Sequence, residues 1–191
     1  RSQARRGGAD EFRALSALVS GDVAQIGSAY VSTFTQEQRD ILTTPLPDNK
    51  LLSAPAVIQK TVLFPQREGG NFVAQLYGND NAGWEGVDAA YKFPPISTEQ
   101  VLHPEKYFGQ EEPQRTTVPN LSGRLGKGWT QVSSNVMGEF LIRTYLEEYL
   151  GEIQAEEAAE GWGGDRYSLL SGPEGERALV SLIKWDSFAE S

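Results

Sequence analysis

Between residues 9 and 34 large apolar side chains recur every three or four positions. Phe12, Leu15, Leu18 with Val19, Val23, Ile26, Tyr30 and Phe34 fall on one stripe of a long helix. Asp10 stands where an N-cap is expected. Gly21 and Gly27 interrupt the pattern at about 1 kcal/mol each relative to alanine, and small residues there let another backbone approach closely. Gln36 to Thr44 reads as a short helix stopped before Pro45 and Pro47.

Further along, Leu46 to Val57 reads as a connection with helical pieces. Ala56 to Phe64 fits a helix or a strand, and Phe64-Pro65 ends it. Gly70-Asn71 signals a turn, Asn71 to Tyr77 a new amphipathic helix, and Trp84 to Tyr91 another short one closed by Pro94-Pro95. Ser97-Thr98-Glu99-Gln100 is a capping box, in which the Ser97 hydroxyl bonds the Gln100 amide and Gln100 reaches back to the cap amide. Residues 109–120 read as loop, and Trp129 to Ser133 as strand-like. Val136 to Ala159 predicts a second long helix, ended by Gly161 as its C′ residue. Arg166 to Leu170 and Arg177 to Trp185 predict a β-hairpin across Gly172-Pro173-Glu174-Gly175. The fold class is therefore α+β, mainly helical, with two long amphipathic helices, several short helices and a C-terminal β-hairpin. Residues 1–8 form a flexible segment, and 9–191 a single domain.

Composition narrows the chemistry. The 191 residues contain no cysteine and one histidine, His103, which excludes disulfides, thiol catalysis and cysteine-ligated zinc. A net charge of −9 argues against nucleic acid as a partner, and no apolar run is long enough to span a bilayer as a helix. The basic, acid-free opening Arg1-Ser2-Gln3-Ala4-Arg5-Arg6 fits the remnant of a targeting peptide, which gives an exported or organelle-lumenal location, such as the thylakoid lumen or periplasm.

Few residues carry catalytic chemistry. His103 beside Glu105 could work as an acid–base pair. No nucleophile or metal cluster accompanies them, which favours a histidine that only hydrogen-bonds at a proline-stopped helix end. Glu147-Glu148 and Glu156-Glu157 are paired acids on a solvated helix face, a weak signal for glycoside chemistry. Gly161-Trp162-Gly163-Gly164-Asp165 lacks the Lys-Ser/Thr of a phosphate loop and reads as a tight turn with a buried tryptophan. Trp84, Trp129, Trp162 and Trp185 read as core anchors, or, for Trp84, Trp162 and Trp185, as walls of a small-molecule cleft. Asn120-Leu121-Ser122 fits a glycosylation sequon.

Several blocks in order resemble one family. They are Ala14-Leu15-Ser16-Ala17-Leu18-Val19-Ser20-Gly21-Asp22, Phe64-Pro65 with Gly70-Asn71-Phe72-Val73, and Gly83-Trp84 through Pro94-Pro95. Ser97 through Tyr107, Leu125-Gly126-Lys127-Gly128-Trp129, Gly161 through Tyr167 and Trp185-Asp186-Ser187 follow. Together they resemble the C-terminal part of a bacterial family of exported, gluzincin-like zinc metallopeptidases of the HExxH type. The resemblance implies a zinc held by two histidines of an HExxH helix and a downstream glutamate, with water activated by the motif's own glutamate. This chain has no HExxH, and Ser20-Gly21-Asp22 stands where Glu-Gly-Asp is expected. Phe64-Pro65-Gln66 likewise replaces the family's Phe-Pro-Tyr.

The expectation is an incomplete, metallopeptidase-like domain with no catalytic residues, no metal and no cofactor. It would act as a non-catalytic accessory or structural subunit docking on a larger protein assembly, for instance as a lumenal subunit of a membrane complex. The alternative is a fragment of a zinc metallopeptidase whose HExxH helix lies outside this chain. His103, Glu105, Trp84, Trp162 and Asp165 are the candidate interaction residues.

Overall fold

A computed structural model describes residues 8–43 and 50–187. The basic opening at 1–7, the stretch containing Pro45, Pro47 and Asp48-Asn49, and the last four residues lie outside the described residues.

Helix α1, Ala9–Val31, packs through its small side: Ala14, Ala17, Leu18 and Gly21 are buried against α3, Ala56–Gly78. A Cβ on Gly21 would stand 2.0 Å from the Gly69 carbonyl oxygen, and one on Gly69 would stand 2.1 Å from that of Ala17. The two backbones therefore touch, which only small residues permit. Among the described residues nothing lies within 4 Å of a Cβ on Gly27, so that glycine serves no close approach there. An apolar helical stripe ordinarily faces the core. Here the close crossing takes the small face instead, and Phe12, Leu15, Val19, Val23, Ile26 and Tyr30 point to solvent. Leu18 alone of the stripe is fully buried.

Three sequence expectations are corrected in this half. Asp10 does not cap α1: Gly8 is the N-cap, and the Asp10 side chain is buried. Residues 56–78 form one helix, running through Pro65 and Gly70-Asn71 where an end and a turn were expected. A proline inside a helix costs about 3 kcal/mol; burial of Phe64, Phe72, Val73 and Leu76 on one face offsets it. Phe64 stacks on Phe140 with ring centroids 4.2 Å apart.

Helix α2, Gln36–Thr43, and a 3₁₀ turn at Lys50–Ser53 join α1 to α3. Helix α4, Trp84–Lys92, returns to α1, where the Tyr91 hydroxyl donates to Asp22 Oδ2 at 2.8 Å. The capping box opens α5, Thr98–Leu102: the Gln100 amide donates to Ser97 Oγ at 3.2 Å. The Gln100 carboxamide oxygen accepts from the Ile96 amide, one residue before the cap amide expected. Pro104 then starts α6, Pro104–Phe108, and α7 is a single turn at Ser122–Leu125.

The expected second long helix is two. Helix α8, Gly138–Leu146, and helix α9, Glu152–Glu160, are separated by turns over residues 147–150 and by Gly151. Gly161 has φ −84°, so it is no left-handed cap, and its carbonyl accepts from the Asp186 amide. The glycine-rich run that follows is the start of a strand, not a turn. Strands β1, Thr130–Asn135, β2, Trp162–Ser171, and β3, Arg177–Trp185, form an antiparallel sheet in the order β1-β2-β3. The hairpin between β2 and β3 is as expected, extended by β1 on the other side.

Among the described residues two apolar cores result. One joins α1, α3, α4 and α5 around Leu18, Phe72, Val73, Leu76 and Val87, and reaches Phe140. The other gathers Ile142, Ala159 and Trp162 with Val136, Met137, Leu146, Ile183 and Trp185.

Candidate functional site

Where α1, α5, α6, α8 and β2 meet, the sequence buries an unusual set of charges. Asp10, Glu99, Glu139 and Asp165 are each at most 3% exposed. A buried carboxylate is tolerated only with hydrogen-bond donors around it or a proton on it. The structure supplies these in three clusters.

The first is a relay of hydrogen bonds across three helices. Phe140 N–H donates to Thr98 Oγ1 at 3.2 Å; the Thr98 hydroxyl and amide donate to Asp10 at 2.7 and 3.0 Å. Burial pushes the Asp10 carboxyl up to about 7, against these hydrogen bonds. Gly138, at φ +78°, passes so close that a Cβ there would meet Asp10 Oδ1 at 1.7 Å. The second cluster is a cap supplied from afar. Asp165 accepts from the amides of Met137 and Gly138, at 3.0 and 2.9 Å, and from Trp162 Nε1 at 3.2 Å. It thereby satisfies the first donors of α8, which has no side-chain cap of its own.

The third cluster holds His103. Its Nε2 lies 2.8 Å from Glu139 Oε1, and its Nδ1 3.7 Å from Glu105 Oε1. The Glu139 hydrogen bond raises the imidazole above its ordinary value, and burial raises Glu139 as well. Glu139 Oε2 finds no hydrogen-bond partner among the described residues. Beside this pair, Lys106 Nζ donates to Glu99 at 2.6 Å, lies 3.1 Å from Glu111, and also bonds Asp186. Burial pushes Glu99 up to about 7, while the three carboxylates hold the lysine charged.

Glu99, Glu111 and Asp186 bring carboxylate oxygens within 4.8 Å of one another, the only such metal-capable group among the described residues. The Lys106 ammonium already bonds all three, so a metal would have to displace an internal cation. The zinc site implied by the family resemblance does not fit these residues. His103 is engaged by Glu139, and Ser20 is a half-buried residue of α1 beside the Gly21 crossing.

The sequence candidates thus divide. His103 and Glu105 meet around one imidazole, but Glu105 is 74% exposed and the buried partner is Glu139. Trp162 and Asp165 share the capping cluster. Trp84 stands apart, packing edge-on against Tyr77 with one face to solvent. Trp162 pairs with Trp185 across the sheet inside the second core, so the three tryptophans do not wall one cleft. Of the acidic helix face, Glu148, Glu152, Glu157 and Glu160 are exposed, while Glu147 and Glu156 are held by Arg143.

Among the described residues the surface is indented at several places, three of them near these elements. The first, of about 80 Å³, is lined by Lys60, Phe64, Arg67 and Arg143. Two open ones, of about 430 and 470 Å³, lie beside the 112–117 loop and between α3 and α6. His103, Glu139 and Lys106 line none of these three.

Residues 124–191 match a family described as a domain of unknown function, DUF8575. The match takes in α8, α9, the three strands and every residue of the second core. No curated protein and no solved structure matches the chain.

Proposed function

We propose that this chain is a non-catalytic accessory unit, on a degenerate metallopeptidase-like scaffold, that docks on a larger protein assembly. The outward face of α1 carries the reading. Phe12, Val23 and Tyr30 are 70%, 66% and 66% exposed, and Ile26 is 54% exposed. With Leu15 and Val19 they form a stripe about 27 Å long at 1.5 Å per residue. Burying such a side chain is worth about 1.5–3 kcal/mol, and contiguous apolar surface of this kind marks an interaction site. The buried charges support the same reading from the other side, since Asp10, Glu99, Glu139 and Asp165 are each tied to a backbone amide, a lysine or an imidazole.

The test is native purification with mass spectrometry, comparing the wild type with Val23→Asp/Ile26→Asp. Both positions are exposed, so the variant should keep its circular dichroism spectrum and melting temperature. A protein retained stoichiometrically by the wild type and lost by the variant supports docking through α1. Equal retention by both sinks it. Stoichiometric zinc held by the native protein would instead favour the peptidase-fragment alternative.

A further inference from the structure

The sheet has two edges, and only one is guarded. Edge strands present unpaired backbone groups, and proteins protect them with short length, charges, prolines or bulges. β1 has six residues, Thr130-Gln131-Val132-Ser133-Ser134-Asn135, and a bulge between Gln131 and Ser133. β3 has nine residues and regular pairing through Lys184, with neither charge nor proline from Ala178 to Ile183. Leu179 is 60% and Leu182 48% exposed.

The hydrogen-bond phase of β3 is fixed at both ends. The Gly172 amide donates to the Glu176 carbonyl, and the Asp186 amide to the Gly161 carbonyl. Ladder bonds fall on alternate residues of an antiparallel strand. Ala178, Val180, Leu182 and Lys184 therefore bond β2, and the backbone groups of Leu179, Ser181 and Ile183 point away from the sheet. Beyond them the edge is engaged: Gln114 Nε2 donates to the Trp185 carbonyl at 3.3 Å, and Lys184 Nζ to the Arg115 carbonyl at 3.0 Å.

We propose that this edge joins two copies of the chain, β3 against β3, antiparallel, about a two-fold axis at Ser181. This surface is distinct from α1, and the proposal stands without the docking reading. A two-fold axis perpendicular to a sheet pairs residues that project from the same face. Centred on Ser181, it sets Leu179 against Ile183 and Ser181 against its own copy, so all the outward groups meet complements. That gives about six hydrogen bonds, two for each such pair. The side chains agree with the backbone. Leu179 gains an apolar cross-strand neighbour, Arg177 falls opposite Trp185, and Lys184 opposite Ala178. No like charges of the strand meet, although each copy carries −9 overall. The strand thus complements itself in hydrogen bonding and sets no like charges opposite one another, which favours a second copy as the occupant.

Because the chain has no cysteine, Ser181→Cys introduces a sole thiol. Under mild oxidation of the full chain at micromolar concentration, Ser181→Cys should form a covalent dimer, and Val23→Cys on α1 should not. In sedimentation the wild type should show twice the 21.0 kDa of one chain. Ser181→Pro removes only an outward amide, which an edge strand tolerates, and Ser181→Lys sets two ammonium groups face to face. Each should weaken the dimer at least about tenfold while leaving the far-ultraviolet spectrum unchanged. A wild type that sediments as a monomer throughout overturns the proposal, including in favour of a peptide on that edge. So does a dimer that survives both folded variants, or one cross-linked through Val23→Cys in place of Ser181→Cys.

Discussion

Asp10 and Lys106 are the residues on which the interior charge balance turns. Asp10 is raised to about 7 when folded, from 3.8, so the fold holds its proton more tightly than the unfolded chain. Its contribution to stability is complete below about pH 4 and is lost as pH rises through 7. His103 is also raised, and its contribution likewise fades as pH climbs past its folded value. Chemical denaturation should therefore show a fold weaker at pH 8 than at pH 5, by on the order of 2 kcal/mol from Asp10 alone. Asp10→Asn should remove that share of the slope and leave the part carried by Glu99 and His103; a slope unchanged by the substitution would show that the carboxyl is ionised throughout. Lys106→Met leaves Glu99, Glu111 and Asp186 without their cation. The expected loss is about 3 kcal/mol at pH 8, smaller at pH 5 where Glu99 takes up a proton. Equal losses at both pH values would mean that the lysine contributes packing only.

Among the elements, the glycines of α1 separate two kinds of space. Gly21→Ala thrusts a methyl into the Gly69 carbonyl and should cost at least about 2 kcal/mol in a urea titration. Gly27→Ala meets nothing and should stabilise the helix by about 0.5–1 kcal/mol. If both variants shift the midpoint the same way, the crossing is looser than described. The same contrast explains what the sequence could tell. Periodicity located α1, and the small residues hinted at a close approach, but periodicity cannot say which face a neighbour takes. Proline and glycine signals divided α3 because they are local, whereas Phe64 on Phe140 and Phe72 in the core are long-range contacts that override them. The Glu-rich run hid the break at Gly151 because both halves keep a helical period. Of the interior clusters, His103 and Asp165 were visible as types. Their partners Glu139, Met137 and Gly138, and the meeting of Lys106 with Asp186 across 80 positions, had no local signal.

At the scale of the whole molecule, α8 joins the two cores, with Phe140 in one and Ile142 in the other. The relay from Asp10 through Thr98 to Phe140 ties the same helix to α1. Denaturation followed by tryptophan fluorescence in a Trp84→Phe variant, whose other tryptophans all lie within residues 124–191, should therefore coincide with helix loss followed by circular dichroism. Separated transitions would mean that residues 124–191 unfold as a unit of their own. The division of labour on α1 has a consequence for how such a chain can change over time. Its inner strip of alanine and glycine carries the architecture and tolerates almost no substitution. Its outer row of phenylalanine, valine, isoleucine and tyrosine is exposed and belongs to neither apolar core among the described residues. That row is free to drift with whatever binds it, and two descendants could share one scaffold while recognising different companions.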